Sequence, residues 1–263
     1  MNDLITQNIK DNILRITLNN SSAQNTLSLD IINNLKEIIT NADINKDIRV
    51  IIIASTGKVF SAGHNLKEIN SHRNDDDNGL KFFTTLINNC SELMLKIIHN
   101  SKPVIAEVNG IATAAGCQLV ASCDLAYSSN ISQFATPGVN IGLFCSTPMV
   151  ALSRIINQKN TMEMLLTGEL IEADKAREIG LINNVFDTEI LQKQVNVMAN
   201  KISKKSPLTL KIGKKSFYDQ LEMKIKDAYE YASQVMIKNM MESDSEEGIK
   251  AFIEKRKPDW NDI

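Results

Sequence analysis

The chain has 263 residues, 43% hydrophobic and 23% charged, with a formal net charge of −2; this suits a globular protein with a sizeable core. It gives no basic footprint for nucleic acid or an anionic membrane surface, and no apolar run reaches the roughly 18 residues of a membrane-spanning helix. Cys90, Cys117, Cys123 and Cys145 form no CxxC pair and keep no zinc-ligand spacing with the histidines, so no metal site is expected and buried thiols are the reading.

Residues 1–10 hold Asp3 and polar side chains, with neither the apolar core of a signal peptide nor an Arg-rich amphipathic pattern, and this reads as a cytoplasmic protein. Ile13–Leu18 reads as a strand. Ser28 is placed to cap a helix whose apolar face is Ile31, Ile32, Leu35, Ile38 and Ile39. Residues 50–54 make a continuous apolar strand, and 71–79 (SHRNDDDNG) is polar enough to read as a mobile surface loop before a helix over 80–98. Residues 103–108 form a second unbroken apolar run. Such strands alternating with helices imply an α/β fold whose sheet is covered on both faces.

The strand-then-helix pattern recurs to about residue 190, and the last third is helical. Within it Ile225, Ala228, Ala232, Val235, Met236 and Met240 make one apolar stripe that must be buried against its own core or another subunit. A final helix is expected from Ser243, spaced from Glu246 as in a capping box, to near Pro258. The organisation predicted is a core over 1–195 and a helical region over 196–263, with no internal sequence repeat.

Two stretches carry chemistry. Residues 59–68 and 108–119 each run from a strand through small residues into a helix. Helix starts present unpaired N–H groups and a positive dipole end, so a pair of such turns makes an anion site. The runs FSAGHNLKE (60–68), VNGIATAAGCQLVASCDLA (108–126), FATPGVNIG (134–142), EMLLTGELIEADKAREIGLIN (163–183) and AFIEKRKPDW (251–260) together resemble the enoyl-CoA hydratase/isomerase (crotonase) superfamily along essentially the whole chain. Within it they are most similar to the enoyl-CoA hydratase domain-containing protein 3 group.

The resemblance implies a crotonase (ClpP-like) spiral of strand-strand-helix turns with a C-terminal helical trimerisation region, and a homotrimer or hexamer. It implies a coenzyme A thioester as substrate or ligand and no tightly bound cofactor. Two backbone N–H groups would hold the thioester oxygen and stabilise an enolate; by position they fall on His64 and Ala115. The His64 imidazole is a separate matter, either a near-neutral acid–base group or a bystander. By the same resemblance Ser61, Ala62, Leu66 and Lys67 would meet coenzyme A, with Phe252 and Lys255 reaching it from a neighbouring subunit.

The departure from the family lies at its two catalytic glutamates, where this chain has Gln118 and Gly138. A neutral amide orients water but cannot take its proton, and glycine offers no group at all. Each acid–base group supplies about 10²–10⁴-fold and an oxyanion donor about 10²–10³-fold, so efficient enoyl-CoA hydration is not expected. Restoring both glutamates should raise hydration if the carboxylates alone are missing. Cys145 reads as a buried, inert thiol and Ser146 as the cap of a helix that Pro148 helps start. Three readings stay open: a hydratase/isomerase-family enzyme, a non-catalytic acyl-CoA-binding or regulatory protein, and a lyase or isomerase assisted by bicarbonate, as in naphthoate synthases, or by its substrate.

Overall fold

The computed structural model describes residues 4–260. The chain opens with a hairpin of β1 (Ile5–Lys10) and β2 (Ile13–Leu18). Asp11 and Asn12 join them with φ of 54° and 61°, the paired positive values of a two-residue type I′ turn. Sequence reading missed β1, because an edge strand with exposed side chains carries no apolar alternation.

Helix α1 (Leu29–Ile44) starts as expected: the Ser28 side chain accepts the Ile31 N–H, and Ile31, Ile32, Leu35 and Ile39 are buried. Then follow β3 (Val50–Ser55), β4 (Val59–Ser61), α2 (Leu66–Ser71) and α3 (Leu80–Ile98). The segment read as a loop before α3 is built: a 3₁₀ turn at His72–Asn74, a His72 ring stacked on Phe82 at 3.7 Å, and Asp77 accepting the N–H groups of Gly79 and Lys81 at 2.9 Å.

Next come β5 (Val104–Val108), β6 (Ile111–Thr113), α4 (Ala115–Ser122), β7 (Leu125–Ser129), β8 (Gln133–Ala135), a 3₁₀ segment at Pro137–Ile141, α5 (Ser146–Ile155) and α6 (Gln158–Thr167). The core ends with β9 (Ile171–Glu172), α7 (Ala173–Glu178), β10 (Asn184–Phe186) and α8 (Thr188–Ser203). Each pair β3/β4, β5/β6 and β7/β8 lays its first strand in a six-stranded sheet ordered β1-β2-β3-β5-β7-β10 and its second in a smaller sheet ordered β4-β6-β8-β9. This winding is the crotonase spiral.

The large sheet is unbroken in apolar character because both faces are covered. On β3, Ile51 and Ile53 pack with Leu35, Ile39, Leu93 and Ile97 of α1 and α3; Val50 and Ile52 face Leu191, Val195 and Ala199 of α8. Helix α8 therefore runs unbroken through residue 195 as part of the sheet's cover.

Beyond it lie α9 (Pro207–Leu221), α10 (Ile225–Met240) and α11 (Ser243–Ile253). Two expectations are corrected here. Glu242, in extended geometry, holds the cap position of α11, so Ser243 is already helical and forms no capping box with Glu246. The helix also ends at Ile253 rather than near Pro258. A half-buried ion pair fastens α9 to the core: Lys214 Nζ meets Asp124 Oδ2 at 2.6 Å and donates to the Ile97 and Lys102 carbonyls, and Tyr218 donates to Asp124 Oδ1 at 2.9 Å. Of the predicted stripe only Ala228 is buried; Ile225, Met236 and Met240 are 60% exposed or more in the single chain. Among the described residues no helix is long and apolar enough to cross a membrane.

Candidate functional site

The two strand-to-helix turns lie side by side because the strands before them pair. Strands β4 and β6 run parallel, with Val59 opposite Ile111 and Ser61 opposite Ala112. In the first turn the Ala62 N–H donates to the Gln24 carbonyl at 3.1 Å, the Leu27 N–H donates to the Gly63 carbonyl at 2.8 Å, and buried Ser61 accepts the Gly63 N–H on its hydroxyl at 3.3 Å. Gly63 has φ +84°, and a Cβ there would lie 2.9 Å from the Ala114 Cβ and 3.2 Å from the Ala115 nitrogen. Glycine is what lets the two turns meet. Gly116 does the same from the other side, since a Cβ on it would fall 2.3 Å from the Ser61 carbonyl oxygen.

In the second turn the left-handed φ falls on Ala114, at φ 50° and ψ −120°, and not on Ala115. The Ala114 N–H donates to the Ala135 carbonyl and its own carbonyl accepts from Gln118, which leaves the N–H groups of Ala115, Gly116 and Cys117 at the head of α4. Among the described residues no protein acceptor meets the N–H of His64 or of Ala115.

The side chains of His64, Cys117 and Gln118, on these two turns and the helix that follows, are uncharged at pH 7. The His64 imidazole is lowered to about 4 by burial, so it is neutral at pH 7, and its Nε2 has no hydrogen-bond partner. Gln118, one turn along α4, is 4% exposed, and its Oε1 is likewise unpaired. Burial pushes the Cys117 thiol up to about 12 and raises that of Cys145. Both thiols are therefore protonated and inert, and the carboxylate nearest the first turn in sequence, Glu68, is drawn to the Leu29 N–H at 3.3 Å.

Gly138 is closed off. A Cβ there would lie 2.5 Å from the Leu143 carbonyl oxygen and 2.9 Å from Cys145 Sγ, with the Leu143 N–H donating to the Gly138 carbonyl at 2.9 Å. A restored glutamate at this position would have to displace backbone. Ser146 does not cap α5: Cys145 holds the cap position, and the Ser146 hydroxyl turns back to the Phe144 carbonyl at 3.4 Å.

Leu66 and Lys67 are exposed at the start of α2, whose true cap, Asn65, accepts the Lys67 and Glu68 N–H groups at 3.1 and 3.3 Å. Sequence reading passed over Asn65, although an asparagine just before a helical run is the ordinary signal. Phe252 is 85% exposed on α11, which packs on α9 and α10, and Lys255 follows it with φ +54°. The single chain thus does not pack these two residues against His64. A cleft of about 750 Å³ between the ends of α1 and α3 and the start of α9, lined by residues such as Asp43, Lys102 and Lys211, contains none of the predicted site residues. Among the described residues there is no cluster of His, Cys, Asp or Glu able to hold a metal ion.

A family model described as enoyl-CoA hydratase/isomerase matches residues 8–263. The chain belongs to that family. As an enoyl-CoA hydratase/isomerase family member it is similar to enoyl-CoA hydratase domain-containing protein 3, mitochondrial, of Xenopus laevis, 49% identical over 94% of this chain and 83% of that protein. It is also similar to the Homo sapiens protein of the same name, 46% identical over 95% and 81%. The crystal structure of human enoyl coenzyme A hydratase domain-containing protein 3 superposes with a TM-score of 0.93 at 44% identity, over 98% of this chain and all of that one. An enoyl-CoA hydratase structure from Mycobacterium smegmatis gives a TM-score of 0.93 at 41% identity, over 98% and 99%. These relatives correct one expectation. The similar curated proteins are named mitochondrial, so the cytoplasmic reading does not stand; the composition of the first ten residues does not fix a compartment.

Proposed function

We propose that this family member binds an acyl-coenzyme A thioester with its carbonyl oxygen between the N–H groups of His64 and Ala115, stabilises the thioester enolate there, and hydrates enoyl-CoA poorly. The observation that carries the reading is the pair of main-chain donors without a protein acceptor, on turns held together by Gly63. Each such donor is worth about 10²–10³-fold to a developing oxyanion. Against this, Gln118 cannot act as a base and Gly138 has no group to offer, so the proton transfers of hydration lose about 10²–10⁴-fold each.

Coenzyme A would lie over the first turn, near Ser61, Ala62 and Leu66, with Lys67 toward its phosphates and Phe252 and Lys255 supplied by a neighbouring subunit. That last contribution requires an assembly, and the uncovered apolar residues of α10 and α11 favour a homotrimer or a hexamer built as a dimer of trimers. The neutral His64, Cys117 and Gln118 side chains also favour a second reading, an acyl-CoA-binding protein without turnover. The test is acetoacetyl-CoA binding by calorimetry alongside crotonyl-CoA kinetics. Saturable binding with kcat well below about 10 s⁻¹, the ordinary enzyme median, is expected. Absence of binding, or hydration faster than that, contradicts the reading.

A further inference from the structure

The cleft of about 750 Å³ lies at the far end of the large sheet from the thioester turns. Its residues stand just before Val50 and Val104, at the N-terminal ends of the parallel strands β3 and β5. The His64 and Ala115 turns follow the opposite ends of the same strands, by way of β4 and β6. Strand β3, six residues at about 3.3 Å each, spans roughly 15–20 Å between the two. The walls of the cleft are apolar: Ile44 and Ile48 at the end of α1 and in the turn after it, Ile98 and Pro103 on either side of the turn after α3, and Leu208 and Leu210 in the first turn of α9. Ile44 is 79% exposed among these neighbours, an apolar surface that the single chain leaves uncovered.

The polar part of the lining is biased to positive charge. Five Lys or Arg side chains line the cleft against two carboxylates, and both carboxylates are engaged. Asp43 accepts the Ser101 N–H at 2.7 Å, and Asp219 accepts from Lys215 at 2.6 Å and from the Tyr231 hydroxyl at 2.7 Å. Among the described residues no hydrogen bond or ion pair holds the ammonium of Lys46 or of Lys211. Lys102 donates to the Ala42 and Asn45 carbonyls where α1 ends, which leaves one of its three N–H groups for a ligand. It is lowered from the ordinary lysine value, first by burial, with Asp43 opposing and Lys211 adding repulsion. Two ammonium groups on separate elements thus repel each other here, and a bound anion relieves that repulsion.

We infer that this cleft binds an amphipathic carboxylate, a fatty-acid-like chain whose tail lies on Ile44, Leu208 and Leu210 and whose head meets Lys46, Lys102 and Lys211. The site goes beyond the thioester reading and does not depend on it. Its volume falls within the range of about 300–1,000 Å³ usual for small-molecule sites, which likewise have apolar walls and a few convergent polar groups. An inorganic anion would use the ammonium groups and leave the apolar walls wet. A neutral hydrocarbon would leave the charges unanswered. The concave shape suits a single chain better than a bilayer surface. Because its walls come from α1, from the turn after α3 and from α9, an occupant bridges all three and reinforces the hold that Lys214 and Asp124 give α9.

The test titrates the full chain with dodecanoate by calorimetry, with and without saturating acetoacetyl-CoA. Inorganic phosphate and vesicles of anionic phospholipid serve as comparators. Saturable dodecanoate binding tighter than about 1 mM is expected, the affinity that ordinary ligand efficiency gives a molecule of this size. Lys46→Glu combined with Lys211→Glu, both at exposed side chains, should weaken it about tenfold or more, and Ile44→Asp should do the same from the apolar side. Neither variant should change Tm or acetoacetyl-CoA binding. Hydrogen exchange in the first turns of α9 should slow when dodecanoate is bound. Absence of saturable binding, displacement by acetoacetyl-CoA, or indifference to the charge reversals overturns the inference. So does phosphate binding as tight as that of dodecanoate, or binding to vesicles alone. Should acetoacetyl-CoA itself fail to bind, the thioester reading falls and the charge-reversal variants still decide the cleft.

Discussion

Ala114 holds φ 50° and ψ −120° at the head of α4, a conformation that costs an alanine on the order of 1–3 kcal/mol and a glycine much less. Ala114→Gly is therefore expected to raise unfolding free energy by about 1 kcal/mol in urea titrations, after the added chain entropy of glycine is taken off. The strain persists because the Ala135 and Gln118 hydrogen bonds and the Gly63 contact fix the residue from three sides. The two turns were legible in the sequence as small residues following strands. Which of Ala114 and Ala115 takes the left-handed φ was not, since the choice is made by the neighbouring turn. The steric state of Gly138 was equally hidden: the missing glutamate was visible, but Leu143 and Cys145 standing in its place were not. Gly138→Ala should cost about 1–3 kcal/mol by overpacking, and Gln118→Glu combined with Gly138→Glu should fail to restore hydration.

His64 adds a pH dependence whose sign follows from its burial. Its folded value, about 4, lies below the ordinary 6.5, so between these limits the unfolded chain binds a proton that the folded chain refuses. Stability is thus full above pH 6.5 and falls as pH drops toward 4, by at most about 3 kcal/mol. Urea midpoints measured at pH 7.5 and pH 5 should show that loss, and His64→Asn should flatten it.

At the scale of elements, the attachment of α9 depends on one cluster. Lys214 is lowered from the ordinary lysine value, first by burial and then offset by Asp124, while Tyr218 is pushed up by burial and by the same carboxylate. Removing the cation leaves the half-buried Asp124 with only the Val104 N–H and the Tyr218 hydroxyl. Lys214→Ala should cost about 3–5 kcal/mol. Hydrogen exchange should show α9 to α11 losing protection while β3 and β5 keep theirs. Little of this was readable beforehand, because Lys214 is one lysine on a helix and Asp124 lies 90 residues away in sequence. Elements with a strong period or an unbroken apolar run, such as α1, β3 and β5, were plain. The exposed strand β1 and the start of α11, set by a backbone turn at Glu242, were not.

At the scale of the whole molecule, the spiral places the two donors on paired turns and leaves apolar side chains of the last two helices uncovered. Ile225, Met236, Met240 and Phe252 are each at least 60% exposed. Sedimentation should find a trimer or hexamer, and Met236→Asp with Phe252→Asp should yield monomers with weakened acyl-CoA binding, since Phe252 and Lys255 would no longer be delivered to a neighbour. Whole-chain likeness to the enoyl-CoA hydratase/isomerase family made the architecture readable from sequence. The proposed assembly draws on the apolar surfaces that the single chain leaves uncovered.

The central claim concerns one oxygen atom. A crystal structure with acetoacetyl-CoA bound should show the thioester oxygen 2.7–3.1 Å from the main-chain nitrogens of both His64 and Ala115. A thioester oxygen turned away from either nitrogen, with coenzyme A otherwise ordered, would contradict it.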